Sequence, residues 1–297
     1  MTESSKKAFL WVAKVTTWLG IMMVLGLGLV LVWALVSHGS TDVTSLKWGQ
    51  FVQTLGVFLL PPLLYAVIWD QHSNPFNLLR LNRGANWKVF LLAVAIMLCA
   101  FPAINLLVDL NGRITLPECL QGVEQWMKKM EDAAEQLMTD FLKVDSIWGL
   151  LINVGLIALL PAISEELTFR GVLQQLCHGD AWQEGRTKWK IHMGIWIAAF
   201  IFSAIHLQFY GFIPRMLMGA MFGYAFVWTG SLWVPIVMHF TNNFMVVVVN
   251  YALDQYAPEY TNYADTFGAG TTWWLGVLSL IVVCVLLWLL YRSTHKE

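Results

Sequence analysis

The sequence predicts an all-α fold: a polytopic membrane helix bundle of about eight transmembrane helices. Three observations carry that prediction. First, 58% of the residues are hydrophobic and only 12% are charged, against about 25% charged in an ordinary soluble domain. Second, apolar runs recur along the whole chain, most of them near the ~20 residues that a helix needs to cross the hydrocarbon core. Third, ionisable residues are scarce inside those runs, and the few present fall in compact groups. A soluble core of this length cannot hide so much apolar surface, so the bilayer is the expected solvent. The net charge of −1 provides no basic field for nucleic acid. Cys99, Cys119, Cys177 and Cys284 are scattered without a CxxC pair, which argues against a disulfide framework or a thiolate metal site.

The candidate spans are 8–36, 49–69, 88–108, 147–176, 191–209, 212–229, 233–253 and 272–291. The first follows Lys6 and Lys7. It is too long for a signal-peptide core and lacks a small-residue cleavage site, so it is expected to remain as a membrane helix. The fourth is long, is interrupted by Pro161, and carries Glu165, Glu166 and Arg170. The sixth holds Gly219 and Gly223, a GxxxG spacing that favours close helix packing. No fixed-period repeat and no low-complexity tract is present. Between the third and fourth runs, residues 118–143 place Leu120, Val123, Trp126, Met127, Met130, Ala134, Leu137 and Phe141 at helical spacing beside charged residues. This segment reads either as a surface helix capping the bundle or as an interfacial helix that shapes substrate access. The chain accordingly divides into N-terminal helices with an extracytoplasmic amphipathic segment (1–145), a polar-motif core (146–250), and a C-terminal loop with the last span (251–297).

Positive charge sets orientation. It gathers at Lys6 and Lys7, at Arg80, Arg83 and Lys88 against Asp70, at Arg186, Lys188 and Lys190 against Asp180 and Glu184, and at Arg292 and Lys296. The alternate loops lean acidic: 109–145 holds eight Asp or Glu against four Lys or Arg, and 254–271 holds Asp254, Glu259 and Asp265 with no basic residue. Both termini are therefore expected in the cytoplasm, with an even number of spans.

An ionisable residue inside a membrane helix costs about 2.5–3.5 kcal/mol on the insertion scale, so it usually faces a partner or a water-filled cavity. In Ser164-Glu165-Glu166-Leu167-Thr168-Phe169-Arg170, Glu166 and Arg170 are four apart with the acid first, the favourable order for an ion pair. Glu165 lies about 100° around the helix and is left to accept a proton from water. The plainer reading is a buried ion pair that fixes packing. In the next run, Phe202 and His206 share a helix face, and His206 is either a hydrogen-bonded core histidine or a catalytic one. On the seventh run His239 and Asn243 are four apart and point the same way. They can donate to a developing oxyanion, His239 can ligate a metal, or both can be polar glue between helices. Together, a free glutamate, two histidines and an asparagine supply a base and oxyanion donors, the parts with which water attacks a peptide carbonyl. The HExxH spacing of helix-borne zinc proteases is absent. A zinc site of Glu165, His206 and His239 from separate helices stays open.

These motifs resemble the CPBP family, the CAAX proteases and bacteriocin-processing enzymes also called Abi proteins. The family pattern EExxxR, FxxxH, HxxxN reads here as Glu165-Glu166 to Arg170, Phe202 to His206, and His239 to Asn243. The stretches Arg215 to Gly223 and Thr229-Gly230-Ser231-Leu232-Trp233 also look like bacterial members. The resemblance covers roughly 146–250, and the flanking runs match only as hydrophobic helices. It implies an intramembrane endopeptidase in which Glu165 is the general base, His206 positions the water, and His239 with Asn243 forms the oxyanion hole. Glu166, Arg170 and Phe202 would support them. The family was long classed as metalloproteases, but its structural picture implies a glutamate-dependent mechanism with no required cofactor, zinc being the alternative. The expected partners are a membrane-associated peptide or protein substrate and the lipid bilayer, with no nucleic acid. The expected location is a bacterial inner membrane. A non-proteolytic immunity or scaffold protein, or a proton-coupled transporter, would use the same residues differently.

One expectation is in tension with the rest. Glu165 falls in the cytoplasmic half of its span, and His239 lies about 9 Å into its own. On an upright fifth helix His206 would stand roughly 22 Å deep. The discrepancy closes if that helix begins in the cytoplasm and its hairpin ends below the outer surface, which places the site in the cytoplasmic half.

Overall fold

The computed structural model describes residues 3–69, 74–179, 188–260 and 266–295. Asp70, Asp180, Glu184, Arg186, Asp265 and Lys296, used above for orientation, lie outside the described residues. The fold is an all-α bundle. Its helices are α1 (Glu3–Val36), α2 (Val43–Trp69), α3 (Pro75–Leu78), α4 (Trp87–Gly112), α5 (Gln121–Leu142), α6 (Ile147–His178), α7 (Lys188–Ala204), α8 (Phe212–Thr229), α9 (Trp233–Tyr256) and α10 (Trp273–Thr294). Side-chain caps start several of them. Asp42 accepts from the Ser45 N–H before α2, Asn86 from Lys88 before α4, and Ser146 from Gly149 before α6.

Every predicted apolar run is helical. Six helices (α1, α2, α4, α6, α9 and α10) are long and apolar enough to cross a membrane. The hairpin α7–α8, of 17 and 18 residues, is not among those six. At 1.5 Å per residue these helices are about 25–27 Å long, less than the ~30 Å hydrocarbon core. The predicted helix over 191–209 is also too long. It ends at Ala204, where the last backbone bonds tighten (His206 N to Ser203 O, Leu207 N to Ala204 O) and Leu207 takes a φ of 54°. His206 therefore sits in the turn that joins the hairpin, not on the helix.

The bundle is apolar outside, and its interior holds buried polar groups beside an apolar core. Leu27, Leu31 and Leu35 on α1 and Ile281 and Trp288 on α10 face outward, whereas Asn153, Ser164, Glu166, Arg170, Gln174 and Ser203 are buried. This is the arrangement lipid demands, because polar groups must find partners within the protein. Helix α6 runs through the centre with α2, α7 and α9 around it, and α4 packs against α8, α9 and α10. All four cysteines are free.

Both α2 and α6 contain a π-helical stretch just before proline, Thr54–Leu59 ahead of Pro61-Pro62 and Val154–Leu159 ahead of Pro161. Proline has no N–H to return to the carbonyl four residues earlier. For Pro62 that carbonyl is Phe58, which accepts from Thr168 Oγ1 at 2.8 Å. For Pro161 it is Ile157, which accepts from Asn243 Nδ2 at 3.3 Å. A side chain from a neighbouring helix thus fills these two gaps, as expected for a proline-broken helix in lipid.

The α7–α8 hairpin packs closely at the predicted glycines. A Cβ on Gly219 would lie 3.2 Å from Ala199 Cα, and one on Gly223 would lie 2.7 Å from Gln174 Oε1 and 2.9 Å from Ile195 Cγ2. Gly223→Ala is expected to destabilise the protein by about 1–3 kcal/mol through overpacking, read as a lower unfolding midpoint in detergent. An unchanged midpoint would contradict this close approach.

The basic segments share one end of the bundle. Trp11 Nε1 donates to Leu176 O, Trp233 Nε1 donates to Leu81 O, and the Leu232 N–H donates to Arg80 O. Trp228 meets Tyr291 near the end of α10. The acidic helix α5 lies at the opposite end, where the α7–α8 turn reaches it.

Candidate active site

Glu166 lies at the end of the α-helical stretch Leu160–Glu166 and Arg170 within the π-helical stretch Leu167–Gln174. The predicted pair forms: Arg170 Nη1 meets Glu166 Oε1 at 2.7 Å, with both side chains buried. Arg170 Nη2 donates to Gly219 O at 2.6 Å, and the guanidinium sits 5.0 Å from the Phe202 ring centre and 5.3 Å from that of Phe222. The missing Cβ of Gly219 thus serves close packing against Ala199 and Phe202, and its carbonyl holds this arginine.

Glu166 Oε1 has a second partner, since His239 Nδ1 donates to it at 2.9 Å. The other ring nitrogen, Nε2, faces Glu165 Oε2 at 3.9 Å, beyond hydrogen-bond distance. His239 therefore lies between the two glutamates, one nitrogen toward each. Phe222 stacks on its ring at 5.5 Å, and Phe202 meets it edge-on at 5.9 Å. Phe202, read above as a supporting residue, touches Arg170, His206 and His239 at once.

His206 reaches the same place from its turn. Its Nδ1–H donates to Phe202 O at 2.7 Å, which leaves Nε2 as the acceptor of the neutral ring. Asn243 also arrives, but part of its amide is committed. Nδ2 donates to Ile157 O, and Oδ1 accepts from Asn242 Nδ2 at 3.1 Å. Glu165, His206, His239 and Asn243 all line one cavity of about 400 Å³. Glu165, His206 and His239 line one cavity and so share one level of the bundle, although His239 lies only six residues past Trp233 at the start of α9, about 9 Å along that helix.

Among the described residues no three His, Cys, Asp or Glu side chains converge as a metal-ligand group.

Sequence reasoning passed over several lining residues: Gln50, Gln208, Arg215 and Asn242. Arg215 carried a usable signal, since an arginine in the first turn of an apolar run is costly without a purpose. Helix α5 contributes Ala134, Leu137, Met138 and Phe141 to the wall. It also holds the α7–α8 turn, through Glu131 Oε2 accepting from the Tyr210 N–H at 3.2 Å and Trp126 against Phe209 at 5.2 Å. This amphipathic helix thus forms part of the cavity wall.

Residues 147–245 match the family described as type II CAAX prenyl endopeptidase Rce1-like. A Bacillus subtilis protein, the uncharacterized protein YpbD, is 34% identical over 92 residues, covering 30% of this chain and 40% of that relative. The similarity thus spans less than half the length of YpbD. No solved structure matches the chain. The matched stretch, residues 147–245, holds all three motifs, so the similarity to that family falls on the residues that carry the resemblance.

Proposed function

We propose that the protein is an intramembrane endopeptidase that hydrolyses a peptide bond of a membrane-associated protein or peptide. The carrying observation is the division of labour between adjacent glutamates. Glu166 is spent on Arg170 and His239 Nδ1, while Glu165 stands on the cavity wall facing His239 Nε2. The family match over 147–245 supports the same reaction class.

In this reading Glu165 takes a proton from water as the water oxygen bonds to the carbonyl carbon. The carbonyl electron pair moves onto oxygen, where N–H donors meet the new charge. When the intermediate collapses, the C–N bond breaks and the proton on Glu165 passes to the leaving nitrogen. His206 Nε2, an acceptor, suits the holding of a water hydrogen. Asn243 retains a second amide N–H beside the one given to Ile157. With Nδ1–H directed at Glu166, His239 donates from Nε2 only while its ring carries both protons. The clustering of basic segments at one bundle end supports a multi-pass protein of the bacterial inner membrane with both termini cytoplasmic.

The test is cleavage of a peptide library by purified protein, comparing wild type with Glu165→Ala and His239→Ala, with and without chelator. Both substitutions should abolish cleavage and the chelator should not. Cleavage that persists in both variants would place the chemistry elsewhere, and loss with chelator would bring a metal into the mechanism.

A further inference from the structure

The cavity wall carries a second charged group that the hydrolytic scheme does not use. Arg215, in the first turn of α8, lines the same cavity as Glu165, His206 and His239. Its Nη2 donates to Gln208 Oε1 at 2.7 Å and its Nη1 to Gln208 O at 3.3 Å. Gly211 leaves room for this fold-back, since a Cβ there would lie 3.1 Å from Nη2. An arginine fork offers five N–H donors, so most of this one stays uncommitted.

Arg215 contrasts with Arg170. Arg170 holds a carboxylate at 2.7 Å, whereas Arg215 makes no ion pair among the described residues. Glu131 and Glu165 are the acids whose charges act on it. Glu131 is engaged with the Tyr210 N–H, and Glu165 faces His239. Neither carboxylate stands within ion-pair distance of it among the described residues, so the guanidinium can take a closer anion. Its planar fork matches a carboxylate bidentately.

We propose that Arg215 is a specificity residue that binds a carboxylate of the substrate in the cavity where Glu165 acts. The proposal rests on the peptidase reading for the role of that carboxylate, and on the Arg215 geometry for its binding. A cavity of about 400 Å³ lies at the small end of ligand pockets, roughly 300–1,000 Å³. The carboxylate and the scissile bond are therefore only a few residues apart. The carboxylate has two possible sources, the free C-terminus of a peptide or an Asp or Glu side chain close to the cut.

The experiment uses three probes: an N-acetylated tetraleucine with a free C-terminus, its C-terminal amide, and that amide with one leucine replaced by glutamate. Their binding is measured to full-length E165Q protein in detergent, which separates recognition from turnover. One acidic probe should bind at least about tenfold more tightly than the plain amide, and which one does identifies the source. The preference should fall to about one in E165Q/R215Q. It should fall likewise in E165Q/Q208E, which keeps the arginine but gives it an internal carboxylate at the Gln208 position. Equal binding of all three probes to E165Q protein, or an acid preference that survives R215Q, overturns the proposal. On Glu165-intact protein, R215Q should raise KM for the acidic probe with little change for the amide. An equal fall in kcat on every probe would assign Arg215 a structural role instead. An acid preference in binding, without any Glu165-dependent cleavage, would sink the peptidase reading and leave this site standing.

Discussion

Glu166→Gln is expected to lower stability by about 3–5 kcal/mol, the cost of leaving a buried charge without its partner. Arg170 is 1% exposed and Glu166 fully buried, so no solvent stands ready to replace the lost carboxylate. The amide keeps an oxygen for Arg170 but not the charge. One carboxylate oxygen also joins α6 to α9 through His239 Nδ1, while Arg170 ties α6 to α8 through Gly219 O. The substitution thus loosens three helices at one point. Glu165→Gln should move the unfolding midpoint far less, because among the described residues Glu165 has no partner at hydrogen-bond distance, with His239 Nε2 3.9 Å away. Comparing the two midpoints in the same detergent checks the assignment, and equal losses would contradict it. Removing both partners in Glu166→Met with Arg170→Met should cost less than the sum of the single changes, because the double variant buries no orphan charge.

The parts of this site that were legible in the sequence are those that local geometry decides. Glu166 and Arg170 pair because an i, i+4 spacing brings them together on one helix, and the π-helical turn between them does not undo it. Gly219 and Gly223 announce close packing because the absence of a Cβ is itself the property that matters. The apolar runs announce helices because lipid leaves the backbone few alternatives. His206 was misplaced by a turn. Hydropathy continues through Ile205, Leu207 and Phe209, whereas the helix ends at Ala204, where the chain reverses toward α8. An apolar turn buried in a bundle looks like more helix when only composition is read. The contact that organises the site, Glu166 with His239, joins residues 73 apart in sequence, and no local periodicity encodes it. The repair of the proline-freed carbonyls was hidden for the same reason. Pro62 and Pro161 show that a carbonyl is released, but only the packed bundle shows that Thr168 and Asn243 fill the gaps. Asn243 consequently serves two ends, helix repair and cavity lining, and its substitution should disturb both at once.

Glu165→Gln is expected to reduce peptide cleavage by about two to four orders of magnitude, the range that a positioned general base contributes. Glutamine preserves the size and polarity of the wall but cannot take a proton from water. The fold should hold, since Glu165 carries none of the interhelical bonds that Glu166 carries. This separation makes the substitution diagnostic, for a variant that unfolds says nothing about chemistry. Glu165→Asp sharpens the point. Withdrawing the carboxylate by one methylene keeps the base but misplaces it by about 1 Å, enough to cost roughly 100-fold when geometry governs the step. Initial rates on one cleaved peptide should then rank wild type, aspartate and glutamine in descending order at nearly constant unfolding midpoint. A glutamine variant within threefold of wild type would remove Glu165 as the base. Glu166 would be a poor replacement, because its shared oxygen already holds Arg170 and His239 and its side chain is closed off from the cavity. The adjacent glutamates are chemically identical, and their environments alone assign one to hold the helices together and the other to face the cavity.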